Sequence, residues 1–332
     1  MKFGGVPPDQ ALGAVLAHSL ALPTGRLRKG RLLTAEDIAA ISAAGHEEVV
    51  VARLDPGDVD ENSAAAALAK ALLAQQSGLR AAAPFTGRVN LIASGPGVAL
   101  LDVAALEAVN LVHPMLTLAT VAPFQQMAGG GMVATIKIIS YAVPGEDLAR
   151  ACNAGRGAIA LATPKLRRAA LIITEIPGGA GEKGQQAIAD RLQALGVTLD
   201  RMASVPHEPE ALSRAIVTCD SELILILTGS ATSDIDDVGP AALRAAGGRV
   251  ERFGMPVDPG NLLFLGEVAG RQVIGLPGCA RSPALNGVDW VLSRVICGVQ
   301  VSSRDIAAMG VGGLLKEIPT RPQPRRGSAA RS

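Results

Sequence analysis

Three short stretches hold the residues best placed to do chemistry: "PGGAGEKG" at Pro177 to Gly184, "TGSATSDIDD" at Thr228 to Asp237, and "GLPGCARS" at Gly275 to Ser282. Each follows an apolar strand-like run and precedes a helix-like segment. Glycines let a backbone approach a ligand closely, and helix N-termini favour anions, so the trio points to a phosphorylated small ligand. In the second stretch Asp234, Asp236 and Asp237 stand beside small hydroxyl residues. Carboxylates repel a phosphate unless a cation bridges them, which Mg²⁺ does with one or two carboxylates plus substrate oxygens. The competing reading is that Asp236 or Asp237 caps the helix near Pro240, since Asp is a favoured N-cap. Lys183 either meets a phosphate or is solvated. Cys279 lies just before an expected helix start at Ser282-Pro283. No nearby His supplies the base a thiol nucleophile needs, so Cys279 reads as a small residue filling a tight loop. The loop amides and the Ser282 hydroxyl are the better candidates.

These stretches need a scaffold, and the chain from Arg167 onward supplies one. "RRAALIITE", "ELILILTG" and "RQVIGL" are near-continuous apolar runs, and "QQAIADRLQALG" between them places Ile188, Leu192 and Leu195 on one helical face. Such alternation argues a parallel sheet covered on both faces, with ligands beyond the carboxyl ends of its strands. A helix is expected from Glu208, another from Pro240 to Ala246, and a last one from Pro283 to Ile296. None of the three loops is G-x-x-x-x-G-K-[ST], and no strand-linked G-x-G-x-x-G with a downstream acid is present, which excludes a P-loop NTPase and leaves a dinucleotide fold unsupported.

Upstream, Asp9 to Ser19 has helical apolar spacing, and Thr34 to Asp37 reads as a capping box. "EEVVVARL", "GRVNLIAS" and "GMVATIKIISYAV" read as strands. The acidic turn Asp55, Asp58, Asp60 and Glu61 is either a metal site or a helix start at Asn62 or Ser63, the latter being the simpler reading. The expected divisions are 1–75, a helix and strand region; 76–166, richer in strand; 167–300, the α/β domain; and 301–332, ending in a disordered basic tail.

Composition narrows the function classes. One Trp and one Tyr make a base-stacking single-strand binder improbable, and a net charge of +1 implies no nucleic-acid or membrane field. The four cysteines form no C-x-x-C, and no His pair has ligand spacing, which argues against zinc, iron–sulfur or a disulfide framework. No uninterrupted apolar run approaches the ~18 residues of a membrane span, so a cytoplasmic protein is expected.

The stretch from "TGSATSDIDD" through "GMPVDPGNLLFLGEVAGRQVIGLPGCARS" resembles the molybdopterin-binding domain of molybdopterin molybdenumtransferases and gephyrin. That family shows a Gly-Gly loop with an Asp-rich turn, then Met-x-Pro-Gly-Lys-Pro, a hairpin, and Gly-Leu-Pro-Gly-Asn-Pro-x-Ser. Gly229 and the aspartates stand for the first motif, Asp258-Pro259-Gly260-Asn261 for the second, and Gly275 to Gly278 with Ser282 for the last. The opening "PPDQALGAVLAHSL" and "RKGRLLTAEDIAAISAAGHEEVVVARL" is similar to the start of those enzymes. The chain also resembles the molybdopterin-binding half of bacterial proteins linked to cytidylyltransferases.

The resemblance implies a three-layer α/β domain with a parallel sheet, preceded by a mixed α+β region. It implies molybdopterin, or its adenylylated form, as ligand, with a role in molybdenum cofactor biosynthesis. Thr228, Gly229, Ser230, Ser233, Pro277, Gly278, Arg281, Ser282 and Lys183 would bind it. Asp234 and Asp237 would hold Mg²⁺ and act in catalysis, while molybdate is inserted and a nucleotide is cleaved. Three departures stand out: Ser230 for a second Gly, Asn261-Leu262 for Lys-Pro, and Cys279-Ala280-Arg281 for Asn-Pro-x, where Arg281 offers a replacement positive charge. Two readings follow. One is a transferase; the other is a non-catalytic carrier or sensor that hands cofactor to a cytidylyltransferase or a molybdoenzyme. A nucleotide-processing enzyme of the competence-damage-inducible kind is a third. The family also implies a homodimer.

Overall fold

The computed structural model describes residues 1–73 and 78–315. The chain divides into two compact units, Met1–Thr163 and Pro164–Ser332. The basic tail expected to be disordered lies, from residue 316, outside the described residues.

In the N-terminal unit, strands Lys2–Val6 and Val15–Leu16 flank Val49–Arg53 in an antiparallel sheet. Leu16, Leu33, Ile41, Val49 and Val51 form its core. The helix Ala35–Ala43 carries the expected capping box, with Thr34 and Asp37 exchanging bonds. The helix expected over Asp9 to Ser19 is not formed. Pro8–Gln10 makes a single 3-10 turn, Gly13 adopts φ +73°, and Val15–Leu16 leaves as a strand. A left-handed residue ends a helix, and the apolar side chains that suggested helical spacing are spent on a turn and a sheet edge.

The rest of this unit is a four-stranded antiparallel sheet in the order Leu116–Thr120, Met132–Ile138, Arg88–Ala93, Leu79–Ala81, with a three-stranded sheet and helices Glu61–Leu72, Val103–Val112 and Gly145–Ala154 around it. Leu68, Leu72, Leu91, Leu116, Ile136 and Ile159 are buried together. In the acidic turn, Asp60, rather than Asn62 or Ser63, caps the helix, accepting from the N–H groups of both. The N-terminal amine pairs with Asp55 and Asp58 at 2.8 and 2.7 Å.

The C-terminal unit comprises β1 (Arg168–Glu175), α1 (Gln185–Gln193), β2 (Thr198–Pro206), α2 (Pro209–Val217), β3 (Leu223–Leu227), α3 (Val238–Ala245), β4 (Arg249–Phe253), β5 (Phe264–Val268), β6 (Arg271–Leu276) and α4 (Gly287–Ile296), followed by a short helix Ser303–Ala308. Its sheet order is β2-β1-β3-β6-β5-β4. The first four strands are parallel; β5 and β4 continue the sheet antiparallel, β5 and β6 being the two arms of a hairpin. Every residue of β3 is buried, as are all but the two ends of β1, which is why both strands read as unbroken apolar runs. Ala170, Ile172, Ile224 and Ile226 face Leu212 and Ile216 of α2 and Leu243 of α3. The alternate residues Leu171, Ile173 and Leu225 are buried on the opposite face. The result is a three-layer α/β arrangement, mostly parallel, as expected.

Glu222 fixes the start of the central strands: its Oε2 accepts the N–H groups of Arg167 and Arg168 at 2.7 and 2.8 Å. These two bonds, Arg167's first, hold its carboxyl below its ordinary pKa. A depressed carboxyl contributes stability above the unfolded-state value of about 4.3 and loses it as pH falls through the lower folded value. Glu222→Gln is expected to cost about 1 kcal/mol at pH 7, allowing for partial exposure. In urea unfolding the gap to the unsubstituted chain should close as the pH is taken to about 3.

Candidate functional site

The loops after β1, β3 and β6, residues 176–184, 228–237 and 277–286, leave the same edge of the sheet from adjacent parallel strands. Strand order reverses direction around β1 and β3, the switch point where open α/β sheets leave a crevice. Arg281, in a 3-10 turn at Gly278–Arg281, ties the loops together. Its Nη1 donates to the carbonyls of Gly181 and Lys183 at 2.9 and 2.6 Å, and its Nη2 donates to that of Thr228 at 3.2 Å. Burial lowers the guanidinium's pKa, yet arginine stays protonated in proteins. A fixed positive charge therefore sits where the three loops meet.

Two glycines allow the backbones to touch there. A Cβ on Gly229 would lie 2.6 Å from the carbonyl oxygen of Thr174, and one on Gly184, whose φ is +90°, would lie 2.4 Å from the Cβ of Arg281. Thr174, fully buried at the end of β1, fixes the second loop by accepting the Gly229 N–H at 2.9 Å. The same hydroxyl is 2.7 Å from Nδ1 of His207, which follows β2. Since Oγ1 already accepts from Gly229, its own proton is free to go to an unprotonated Nδ1.

A second arginine holds the third loop from below. Arg191 of α1 donates through Nε to Asp289 at 2.7 Å, through Nη1 to the carbonyls of Ala187 and Ala280, and through Nη2 to those of Ser282 and Ala284. Both ion-pair partners are largely buried, with side chains 10% and 16% exposed. Asp289 also accepts the Asn286 N–H at 2.8 Å, closing a capping box that starts α4. The helix therefore begins at Gly287, not at Pro283. Ser282 ends the 3-10 turn instead of capping α4, and its Oγ accepts the Ala284 N–H at 3.2 Å. The Asn286-x-x-Asp289 box offers two reciprocal bonds, whereas Ser282-Pro283 offers one, so the later start wins.

The remaining expected residues fall on these loops as follows. Thr228 is buried, its hydroxyl 3.2 Å from that of Thr232. Ser230, Ser233 and Asp234 are exposed. Asp237 caps α3: Oδ1 accepts the Val238 N–H and Oδ2 that of Ser233, at 2.7 and 3.0 Å. Asp234 accepts the Asp236 N–H through Oδ1, and Asp236 pairs with Arg244. Among the described residues no three His, Cys, Asp or Glu side chains converge as metal ligands. The acidic loop is thus tied into its own turn by these bonds. Lys183 is exposed and contributes its carbonyl to Arg281. Pro277 is buried and Gly278 exposed, and a Cβ on Gly278 would meet nothing within 4 Å. Cys279 lies half-buried inside the turn and forms no disulfide. Thr174, His207, Arg191 and Asp289 lie outside all three motifs. Only their long-range bonds reveal them, although an arginine on an otherwise amphipathic helix was a weak signal for Arg191.

Residues 171–296, which lie within the C-terminal unit, match the family described as probable molybdopterin binding domain. Residues 5–53 match a domain of unknown function (DUF8806). No curated protein matches the chain by sequence. Among solved structures, the chain is similar to the molybdopterin biosynthesis moea protein from Pyrococcus horikosii, with 14% identity, 90% of this chain and 75% of that one covered, and a TM-score of 0.31. It is also similar to Molybdenum cofactor biosynthesis protein B, with 16% identity, 41% and 96% covered, and a TM-score of 0.30. A third similarity is to the protein CinA with unknown function from Thermoplasma acidophilum, with 18% identity, 35% and 90% covered, and a TM-score of 0.27. No helix among the described residues is long and apolar enough to cross a membrane.

Removing one partner of a buried ion pair strands the other. Arg191→Met is expected to lower stability by about 3 kcal/mol in denaturant unfolding, because Asp289 and the carbonyls of 280–284 lose their donors together.

Proposed function

We propose that the C-terminal unit binds molybdopterin, or its adenylylated form, on the rim formed by residues 176–184, 228–237 and 277–286, and that the protein acts in molybdenum cofactor biosynthesis. The observation that carries this reading is the Arg281 guanidinium, which bonds carbonyls of the other two loops and so holds all three together around a fixed cation. An anionic phosphate gains from such preorganised donors because they need no rearrangement on binding. Gly278, with open space above its backbone, lets the ligand approach; Ser282 and Ser230, both exposed, offer hydroxyls at the edge. Thr228 shapes the floor through its pairing with Thr232.

Binding and presentation of the cofactor is the better supported form of this activity. Both oxygens of Asp237 accept backbone N–H bonds, which gives this carboxylate a capping role of its own. The transferase reading, with molybdate as substrate, rests on one observation: Asp234 is exposed on the second of the three loops. A dimer and a protein recipient of the cofactor belong to the same proposal.

The test uses protein purified from a host that makes molybdopterin, with acid–iodine release of the pterin and measurement of its fluorescence. The unsubstituted chain should carry pterin. Gly278→Phe should carry at least ten-fold less while its unfolding free energy stays within about 0.5 kcal/mol, since its Cβ enters open space. Absence of pterin from the unsubstituted chain, or full loading of Gly278→Phe, would contradict the assignment. If Asp234→Ala keeps the pterin but loses molybdate retention, the transferase reading is favoured; if both persist, the carrier reading is.

A further inference from the structure

A short hydrogen-bond chain crosses the end of the C-terminal sheet and joins the residue after β2, the end of β1 and the loop after β3. Its middle member is the hydroxyl of Thr174, a fully buried residue. Oγ1 accepts the Gly229 N–H at 2.9 Å and lies 2.7 Å from Nδ1 of His207. The main chain of His207 is fixed as well, since its N–H donates to the Glu175 carbonyl at 3.1 Å. The half-buried imidazole is therefore tied to β1 through both its backbone and its ring.

The direction of each bond follows from the donors present. Among the described residues Thr174 Oγ1 has these two partners and no third. A backbone N–H can only donate, so the Gly229 bond takes a lone pair of the hydroxyl. The hydroxyl proton then goes to Nδ1, because a buried O–H left without an acceptor costs about 1–3 kcal/mol. Nδ1 is thereby unprotonated, and the neutral ring carries its proton on Nε2. A hydroxyl held at its proton in this way keeps a lone pair aimed at the Gly229 N–H.

What the chain positions is the stretch that follows Gly229. Ser230 and Ala231 are exposed, and among the described residues their N–H groups donate to no protein acceptor, whereas that of Ser233 goes to Asp237. Successive unbonded amides anchored at one end are a preorganised donor set for an anion. We propose that His207 is a positioning residue for the anionic group of the ligand, acting through Thr174 and Gly229 to hold the amides of Ser230 and Ala231 in place. The turn after β2 thereby becomes a fourth participant in the rim, from outside all three motifs. The inference rests on the reading of that rim as a ligand site and names what sets the donors of its second loop.

The test uses the full chain prepared from cells that cannot make molybdopterin and from cells that can. In the ligand-free protein, ¹⁵N NMR of the imidazole at neutral pH should show His207 with Nδ1 unprotonated and Nε2 protonated, a reading that needs no variant. Amide exchange at Gly229 in the same preparation should quicken about ten-fold in His207→Leu, which removes the acceptor, and return to within about two-fold of the unsubstituted rate in His207→Asn, whose Oδ1 takes the place of Nδ1. In protein from cells that make molybdopterin, released pterin should fall about ten-fold in His207→Leu and recover in His207→Asn. A proton on Nδ1, unchanged Gly229 exchange in His207→Leu, failure of His207→Asn to restore it, or faster exchange with undiminished pterin would each overturn the proposal. Absence of pterin from the unsubstituted chain would instead defeat the ligand assignment, and the ligand-free exchange and the tautomer would still decide whether His207 holds the loop.

Discussion

The candidate site depends on one guanidinium that satisfies carbonyls from two other loops. Loops at the end of a parallel sheet have orphan backbone groups and no regular ladder to fill, so something must supply donors where they converge. Arg281 does so for Gly181, Lys183 and Thr228. Lysine, a point charge with flexible donors, would not hold the same planar set. Three of its five N–H donors go to these carbonyls, so its charge is held in place by the same bonds that join the loops.

Around that bond the supports form a nested set. Arg191 and Asp289 hold the third loop to α1 and α4, and Thr174 holds the second to the end of β1. Each support is buried or nearly so, which strengthens its bonds and makes the loss of any single partner costly. The exposed residues, Ser230, Ser233, Asp234 and Ser282, are then free to vary without disturbing the frame. The departure Cys279-Ala280-Arg281 at the centre of the last motif falls on the frame itself, where Arg281 supplies the tie between the loops.

Much of the fold is legible in the sequence because β1 and β3 are covered on both faces, and that burial writes itself as an unbroken apolar run. The loops are legible for a related reason: close backbone approach selects glycine, as at Gly184 and Gly229. What sequence spacing misses are choices between competing local signals and bonds across long separations. Ser282-Pro283 and Asn286-x-x-Asp289 both announce a helix start, and only the tertiary bond from Arg191 to Asp289 reinforces the second. The run from Asp9 to Ser19 has helical spacing, but Gly13 breaks it and the neighbouring strand Val49–Arg53 captures Val15 and Leu16. Thr174 and His207 meet across thirty-three positions of chain, a pairing that no short motif encodes.

The most direct test of the central claim is amide hydrogen exchange, comparing protein purified from cells that make molybdopterin with protein from cells that cannot. The account predicts that the ligand protects amides in 176–184, 228–237 and 277–286 together, and that Arg281→Ala abolishes the joint protection. Protection confined to one of these loops, or found only elsewhere in the chain, would contradict it.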